Sequence, residues 1–255
     1  MRKEVIQVRT AYCTHPGKIR SHNEDSVGVY KGENCLLAVV ADGMGGHAAG
    51  EVASKMAVDL SAQRFMEHEG TFTREKAEIW LNHLVRGINL RLYEHAESHD
   101  TCKGMGTTFA AALCTNEFIA VSSVGDSRIY IWKHSQPLKQ ITEDHTFVNE
   151  LLKTGQITED EAAGHPKRNI LMRSLGTEPT IALDTAIVEW SSWSHVLLCS
   201  DGLSNKLTDE RLTEIMSKSM NLEEKTEMMV REANHAGGED NISVILISND
   251  RDGEK

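Results

Sequence analysis

The sequence predicts an α+β fold made of mostly antiparallel sheets with helices packed outside them. Three observations lead there. Strand-like segments follow one another without the intervening helices that a parallel sheet requires. Two long segments with helical spacing of apolar residues sit together between two groups of strands. No repeat, low-complexity run or Pro/Ser-rich linker interrupts the 255 residues, an ordinary length for one domain. We expect one domain over residues 1–248 and a short polar tail over 249–255.

The elements follow in order. Residues 7–12 and 26–30 read as strands. Residues 35–41 form a near-continuous apolar run that ends at Asp42, the mark of a buried strand. Residues 48–69 read as a helix, with Val52, Met56, Leu60 and Phe65 spaced by about one turn. Residues 74–96 read as a second helix, with Ile79, Leu84, Ile88 and Leu92 on one face. Strands return at 107–114, 118–124 and 128–133, and Asn116-Glu117 makes the first two a hairpin. Short helices are expected at 147–153, stopped by Gly155, and at 158–163, with acids in its first turns. Strands at 182–188 and 195–199, helices at 208–218 and 222–235, and a buried strand at 242–247 complete the chain. The helical insert over 145–170 reads as a surface flap.

Charge and cysteine usage exclude several classes. Acidic residues number 38 against 27 basic ones, a formal charge of -11. A nucleic-acid or anionic-membrane surface needs the opposite balance. The five cysteines are odd in number and form no CxxC pair, which argues against a disulfide framework and a zinc ribbon. The first residues, MRKEVIQVRT, lack the apolar stretch of a signal peptide. No run approaches the ~20 apolar residues of a spanning helix. A soluble cytoplasmic protein is expected.

The chemistry lies in carboxylates at strand ends. Leu36-Leu37-Ala38-Val39-Val40-Ala41 runs into Asp42-Gly43, and Val196-Leu197-Leu198-Cys199-Ser200 runs into Asp201-Gly202. In each, the glycine would let the backbone turn sharply after the acid. Asp240 stands before the last buried strand, Asp126 follows Val124-Gly125, and Glu24-Asp25 precedes the strand at Val27. One Asp-Gly after a strand is most often a plain turn. The set as a whole points instead to acids converging on one rim, where oxygen ligands suit Mg²⁺ or Mn²⁺ better than zinc. Arg20, in the polar loop before Glu24-Asp25, could grip two phosphate oxygens. Gly43-Met44-Gly45-Gly46 lacks the P-loop pattern. Glycines that let a backbone carbonyl approach a metal explain it better.

These residues fall into ordered motifs: Arg20-x-x-Asn23-Glu24-Asp25, Asp42-Gly43-Met44-Gly45-Gly46-His47, Gly104-Met105-Gly106-Thr107-Thr108, Gly125-Asp126-Ser127-Arg128, Asp144-His145, Ser200-Asp201-Gly202-Leu203 and Asp240-Asn241. In that order, over nearly the whole chain, they resemble the metal-dependent Ser/Thr protein phosphatases of the PPM (type 2C) family, particularly its compact bacterial members. The resemblance implies a central antiparallel β-sandwich flanked by helical layers, α-β-β-α. It implies that Asp42 bridges two metals, that the Gly43 carbonyl binds one, and that Asp201 and Asp240 complete the other. It implies a third metal at Asp126, shared with Asp201, and Glu24 and Asp25 acting through water. Two or three Mn²⁺ or Mg²⁺ ions would activate water to attack phosphorus held by Arg20, with no phosphoenzyme.

The chain departs from many eukaryotic members at Met44, where they carry a histidine proposed as general acid. His47 is the alternative candidate. The resemblance further implies phosphorylated proteins as partners, including a bacterial membrane-anchored Ser/Thr kinase and its targets, and a monomeric enzyme in signalling. A two-metal nuclease or nucleotide hydrolase is the competing reading, and the acidic balance counts against the nuclease. A phosphoprotein-binding module with a decayed site is the other, and the retained acids count against it.

Overall fold

The computed structural model describes residues 6–46, 48–190 and 195–249. Three strands open the chain: β1 (Val8–His15), β2 (Asp25–Lys31) and β3 (Cys35–Met44). Helices α1 (Ala49–Met66) and α2 (Arg74–Ser98) follow. Then come β4 (Gly106–Thr107), β5 (Phe109–Thr115), β6 (Phe118–Val124), β7 (Arg128–Trp132) and β8 (Lys139–Gln140). The insert carries α3 (Phe147–Lys153) and α4 (Glu159–Ala163). The chain ends with β9 (Asp184–Glu189), β10 (His195–Cys199), α5 (Asp201–Ser204), α6 (Asp209–Met216), α7 (Leu222–His235) and β11 (Ile242–Asn249).

The strands form two sheets. One has the order β1-β11-β10-β7-β8; the other has β2-β3-β5-β6-β9, with β4 added to the far end of β3. Every one of these pairings is antiparallel.

Alternation along the strands explains the layering. On β3, Leu36, Ala38 and Val40 face the other sheet and pack with Ile119, Ile131, Leu198 and Ile245. Leu37, Val39 and Ala41 face outward and meet Ala53, Ala57, Leu81 and Ile88 of α1 and α2. The second sheet repeats this, with Leu197, Cys199, Val244 and Leu246 packing on Ile215, Met229 and Val230 of α6 and α7. Both faces of the central strands are covered, which is why their sequences show no polar alternation. The result is the four-layer α-β-β-α sandwich.

Helix α1 meets the sheet with small residues, including Ala49, Gly50, Ala53, Ser54, Ala57 and Ser61. This lets it lie close to β3. Polar caps fix five other helix starts: Thr73 for α2, Thr146 for α3, Thr158 for α4, Thr208 for α6 and Asn221 for α7 each accept from a backbone N–H one turn on. The insert is tied at its base, where Phe147 N–H donates to Ile170 O and Thr146 bridges Leu171.

Three expectations are corrected. Strand β3 does not end at Asp42; it continues through Gly43, which pairs with Thr107 of β4. Gly43 is therefore not a turn residue. A Cβ there would overlap the Gly50 carbonyl and lie 2.7 Å from Glu24 O, so glycine is required by close backbone approach. Gly202 is alike: it lies in α5, and a Cβ would overlap the Asn241 carbonyl. The last strand runs on through Asn249, expected in the tail, because that residue pairs with Val8.

Gly43→Ala and Gly202→Ala should each lower stability by ~1–3 kcal/mol or more, since rigid backbone must move. Urea unfolding of the two variants checks this; Gly87→Ala, where a Cβ meets nothing within 4 Å, should be neutral or stabilising.

Candidate active site

One end of the sandwich opens into a cleft of about 380 Å³. Asp42, Gly43, Asp126, Asp201 and Asp240 line it, together with Arg20 and Glu24. The flap contributes Asn169 and Leu171 to the wall. Asp25 lies behind this surface. His47 falls outside the described residues.

Strand register sets the first two acids. Asp25 of β2 stands directly opposite Asp42 of β3, so their side chains share one face of the sheet. The backbone of Asp42 is fixed on its other edge. Its N–H donates to Thr108 Oγ1 (2.9 Å), and its carbonyl accepts from Thr108 N (2.8 Å) and Thr107 Oγ1 (2.9 Å). Thr108 Oγ1 also lies 2.7 Å from Ser127 Oγ, which anchors the Asp126 loop to the same point.

The remaining acids come from the other sheet. Asp201 opens α5, and its Oδ2 accepts from Asn205 Nδ2 at 3.0 Å. Asp240 precedes β11; its Oδ1 accepts from Asn241 N (2.9 Å) and its Oδ2 from Arg20 Nη2 (3.1 Å). Asn241 then holds the Arg20 loop. Its Oδ1 accepts from Glu24 N (2.7 Å), and its Nδ2 donates to Pro16 O and His22 O, both 2.9 Å. Asp25 Oδ2 accepts from Ser200 Oγ at 2.7 Å, so one hydroxyl links the two sheets under the cleft.

This gathering is electrostatically costly. Burial, and after it repulsion from Asp25, Asp201, Asp126 and Asp240, drives the Asp42 carboxyl far above the ordinary range. Burial pushes Asp25 up to about 7 despite its hydroxyl donors. Asp126 rises to about 8, through burial and then Asp201 and Asp144. Asp201 and Glu24 also rise, burial being the largest cause for each. Two buried oxygens, Asp25 Oδ1 and Asp201 Oδ1, have no hydrogen-bond partner.

Among the described residues, no three His, Cys, Asp or Glu side chains close into a ready metal cage. Hard cations complete their shells with carbonyl oxygens and water, which such an open arrangement leaves room for. The all-oxygen donor set, the two partnerless oxygens and the mutual repulsion fit divalent cations of the Mg²⁺ or Mn²⁺ kind. The aligned arginine on the rim suits a phosphate.

Comparison with known proteins agrees. Residues 18–234 match the family model described as protein phosphatase 2C. The serine/threonine phosphatase stp of Listeria monocytogenes is 42% identical over 240 residues, covering 94% of this chain and 95% of the relative. This chain belongs to the protein phosphatase 2C family. The phosphatase is a metal-dependent hydrolase that dephosphorylates proteins. Its fold superposes on serine/threonine phosphatase Stp1 from Staphylococcus aureus with a TM-score of 0.91, at 37% identity and 97% coverage of both chains. It is similar to the catalytic domain of the phosphatase PstP in complex with two manganese ions, with a TM-score of 0.81, 33% identity, and coverage of 94% of this chain and 97% of that one.

Sequence reasoning quoted Thr107, Thr108, Ser200 and Asn241 within motifs but gave them no task. Their signal was available: polar residues beside strands that are otherwise apolar must find partners when buried.

A pH dependence follows from the raised acids. Their unfolded values lie near ~4, and the folded values of Asp25 and Asp126 are about 7 and about 8. The folded state therefore holds extra protons between those limits. Stability of chelated phosphatase should be greatest below ~4 with respect to these groups, and be lost as pH rises to about 8. Melting temperatures at pH 5.5 and 8.5 check this. Asp126→Asn should shrink the difference between them, and Mn²⁺ should raise the melting temperature more at the higher pH.

Proposed function

We propose that the phosphatase hydrolyses phosphoserine and phosphothreonine in proteins at this cleft, using two or three Mn²⁺ or Mg²⁺ ions. The observation that carries the reading is the convergence of Asp42, Asp126, Asp201 and Asp240, from four separate segments, on one cleft with Arg20 at its rim.

Asp42 would bridge two cations, with the Gly43 carbonyl serving one and Asp201 and Asp240 the other. Asp126 would hold a third with Asp201. Glu24 and Asp25 would orient water. Bound cations supply Lewis acidity, which activates water for attack on phosphorus and offsets phosphoryl charge. Arg20 holds the substrate phosphate. Its pairing with Asp240 joins two half-exposed groups, so little energy opposes its transfer to phosphate oxygens. Thr107, Thr108 and Asn241 keep the acids and the Arg20 loop from moving as charge develops. The acids themselves attack nothing, so no phosphoenzyme forms.

The carboxylate face repels nucleic acid, which favours this reading over a nuclease. The flap, through Asn169 and Leu171 in the cleft wall, selects among phosphopeptides. The substrates would include a bacterial membrane-anchored Ser/Thr kinase and its targets. The enzyme would act in the cytoplasm as a monomer, with one catalytic domain that includes β11 through Asn249. No helix among the described residues is long and apolar enough to cross a membrane.

A malachite-green assay with phosphothreonine peptide tests the reading. Mn²⁺ or Mg²⁺ should start turnover and a chelator should stop it. Asp42→Asn should lower kcat by at least ~100-fold while circular dichroism stays native; full activity in that variant would remove Asp42 from the site. No described residue lining the cleft is a histidine, and His47 is the proposed proton donor to the leaving alkoxide. His47→Ala should slow phosphoserine peptide hydrolysis ~10²-fold. It should leave p-nitrophenyl phosphate little changed, since nitrophenolate departs without a proton. Equal effects on both substrates would contradict that role.

A further inference from the structure

Asp144 and His145 stand at the foot of the flap and have no part in the chemistry above. Together they hold both ends of the loop that carries Asp126. At one end, Gly125 N–H donates to His145 Nδ1 (3.1 Å), and His145 N–H donates to Gly125 O (2.9 Å). At the other, Arg128 donates to both Asp144 oxygens, from Nε to Oδ1 (2.9 Å) and from Nη2 to Oδ2 (2.7 Å). The loop is thus gripped on each side of its acid by two adjacent residues.

The imidazole suits this post for a specific reason. It is 2% exposed. Because Nδ1 accepts from Gly125, the ring proton of the neutral form sits on Nε2, which donates to Asp184 Oδ2 at 3.0 Å. Asp184 opens β9 opposite Ser123 of β6, the strand that leads into Gly125. Arg173 pairs with the same carboxylate, 3.6 Å from Asp184 Oδ1, and helps to hold it in place. A side chain with an acceptor at one end and a donor at the other is needed to join Gly125 to Asp184. Gly125 has little freedom of its own: its φ is +96°, and a Cβ would stand 2.7 Å from Thr108 Cγ2.

The same residue starts the flap. His145 O accepts from Met172 N at 2.8 Å, just where the returning leg of the flap rejoins the sheet. One histidine therefore touches the Asp126 loop, both legs of the flap and the edge strand β9.

We propose that His145 is a positioning residue that sets the Asp126 carboxylate and the flap base in one register. The proposal rests on the reading of Asp126 as a cation ligand. Partners that orient a ligand in this way commonly change cation affinity by ~10–100-fold when removed.

The test is calorimetric titration of Mn²⁺ into the full chain, with amide hydrogen exchange on the metal-free protein alongside. The deciding pair is His145→Asn against His145→Gln, since each replaces the buried ring with an amide. Asn keeps an acceptor near the Nδ1 position; Gln reaches toward Asp184 but leaves Gly125 N–H unpaired. Asp126→Asn should remove one Mn²⁺ binding step. His145→Gln and His145→Ala should weaken that same step ~10-fold or more, and His145→Asn should restore most of it. Equal weakening in Asn and Gln variants would reduce His145 to packing and overturn the proposal, as would an unchanged step in His145→Gln. If Asp126→Asn alters no binding step, the cation reading of Asp126 fails instead. The exchange data then decide on positioning. Faster exchange at Gly125 and Asp126 in Gln than in Asn supports it, and equal rates overturn it.

Discussion

Asp25 and Asp42 stand side by side across antiparallel strands, held there by register. Like charges opposite one another in a sheet are unfavourable, and burial makes them more so. The chain adds Asp126, Asp201 and Asp240 to the same cleft rather than placing a cation side chain among them. Among the described residues that line the cleft, the one cationic side chain is Arg20, at the rim. The folded frame thus holds an excess of negative charge that hydrogen bonds from Ser200 Oγ to Asp25 and from Asn241 N to Asp240 restrain but do not neutralise. In the proposed reading divalent cations complete it, and such cations also serve phosphoryl transfer.

The rest of the architecture serves that constraint. A strand covered on both faces cannot slip without moving an entire apolar set to the wrong layer. Strand β3, packed against the second sheet on one side and α1 and α2 on the other, is such a strand. It delivers Asp42 and Gly43 to the cleft from a rigid base. Helix α1 starts close beside them because Gly43 and Gly50 allow their backbones to touch. On the opposite sheet, β10 and β11 deliver Asp201 and Asp240 in the same manner. The flap is lightly attached by comparison, and its foot coincides with the anchors of the Asp126 loop.

Much of this was legible in the sequence because it rests on local signals. Long apolar runs announced β3, β10 and β11, and the acids at their ends announced the site. The layering agreed as well. What stayed hidden depends on contacts between distant segments. The glycines after Asp42 and Asp201 looked like turn residues, yet each is needed because a backbone carbonyl from elsewhere lies against it. The two-residue strands β4 and β8 are too short to leave a pattern. Thr107, Thr108 and His145 bind groups remote in sequence, so their partners could not be named before the fold was known. His47 lies outside the described residues, and the role proposed for it rests on chemistry alone.

The central claim is that the fold stores partly protonated, mutually repelling carboxylates whose charge cations complete. Cation binding must then displace protons. Mn²⁺ titrated calorimetrically at pH 7, in two buffers of different ionisation enthalpy, counts them. With Asp25 at about 7 and Asp126 at about 8, and Asp42 raised as well, the account predicts release of about one proton or more per protein molecule. Identical binding enthalpies in the two buffers would contradict it.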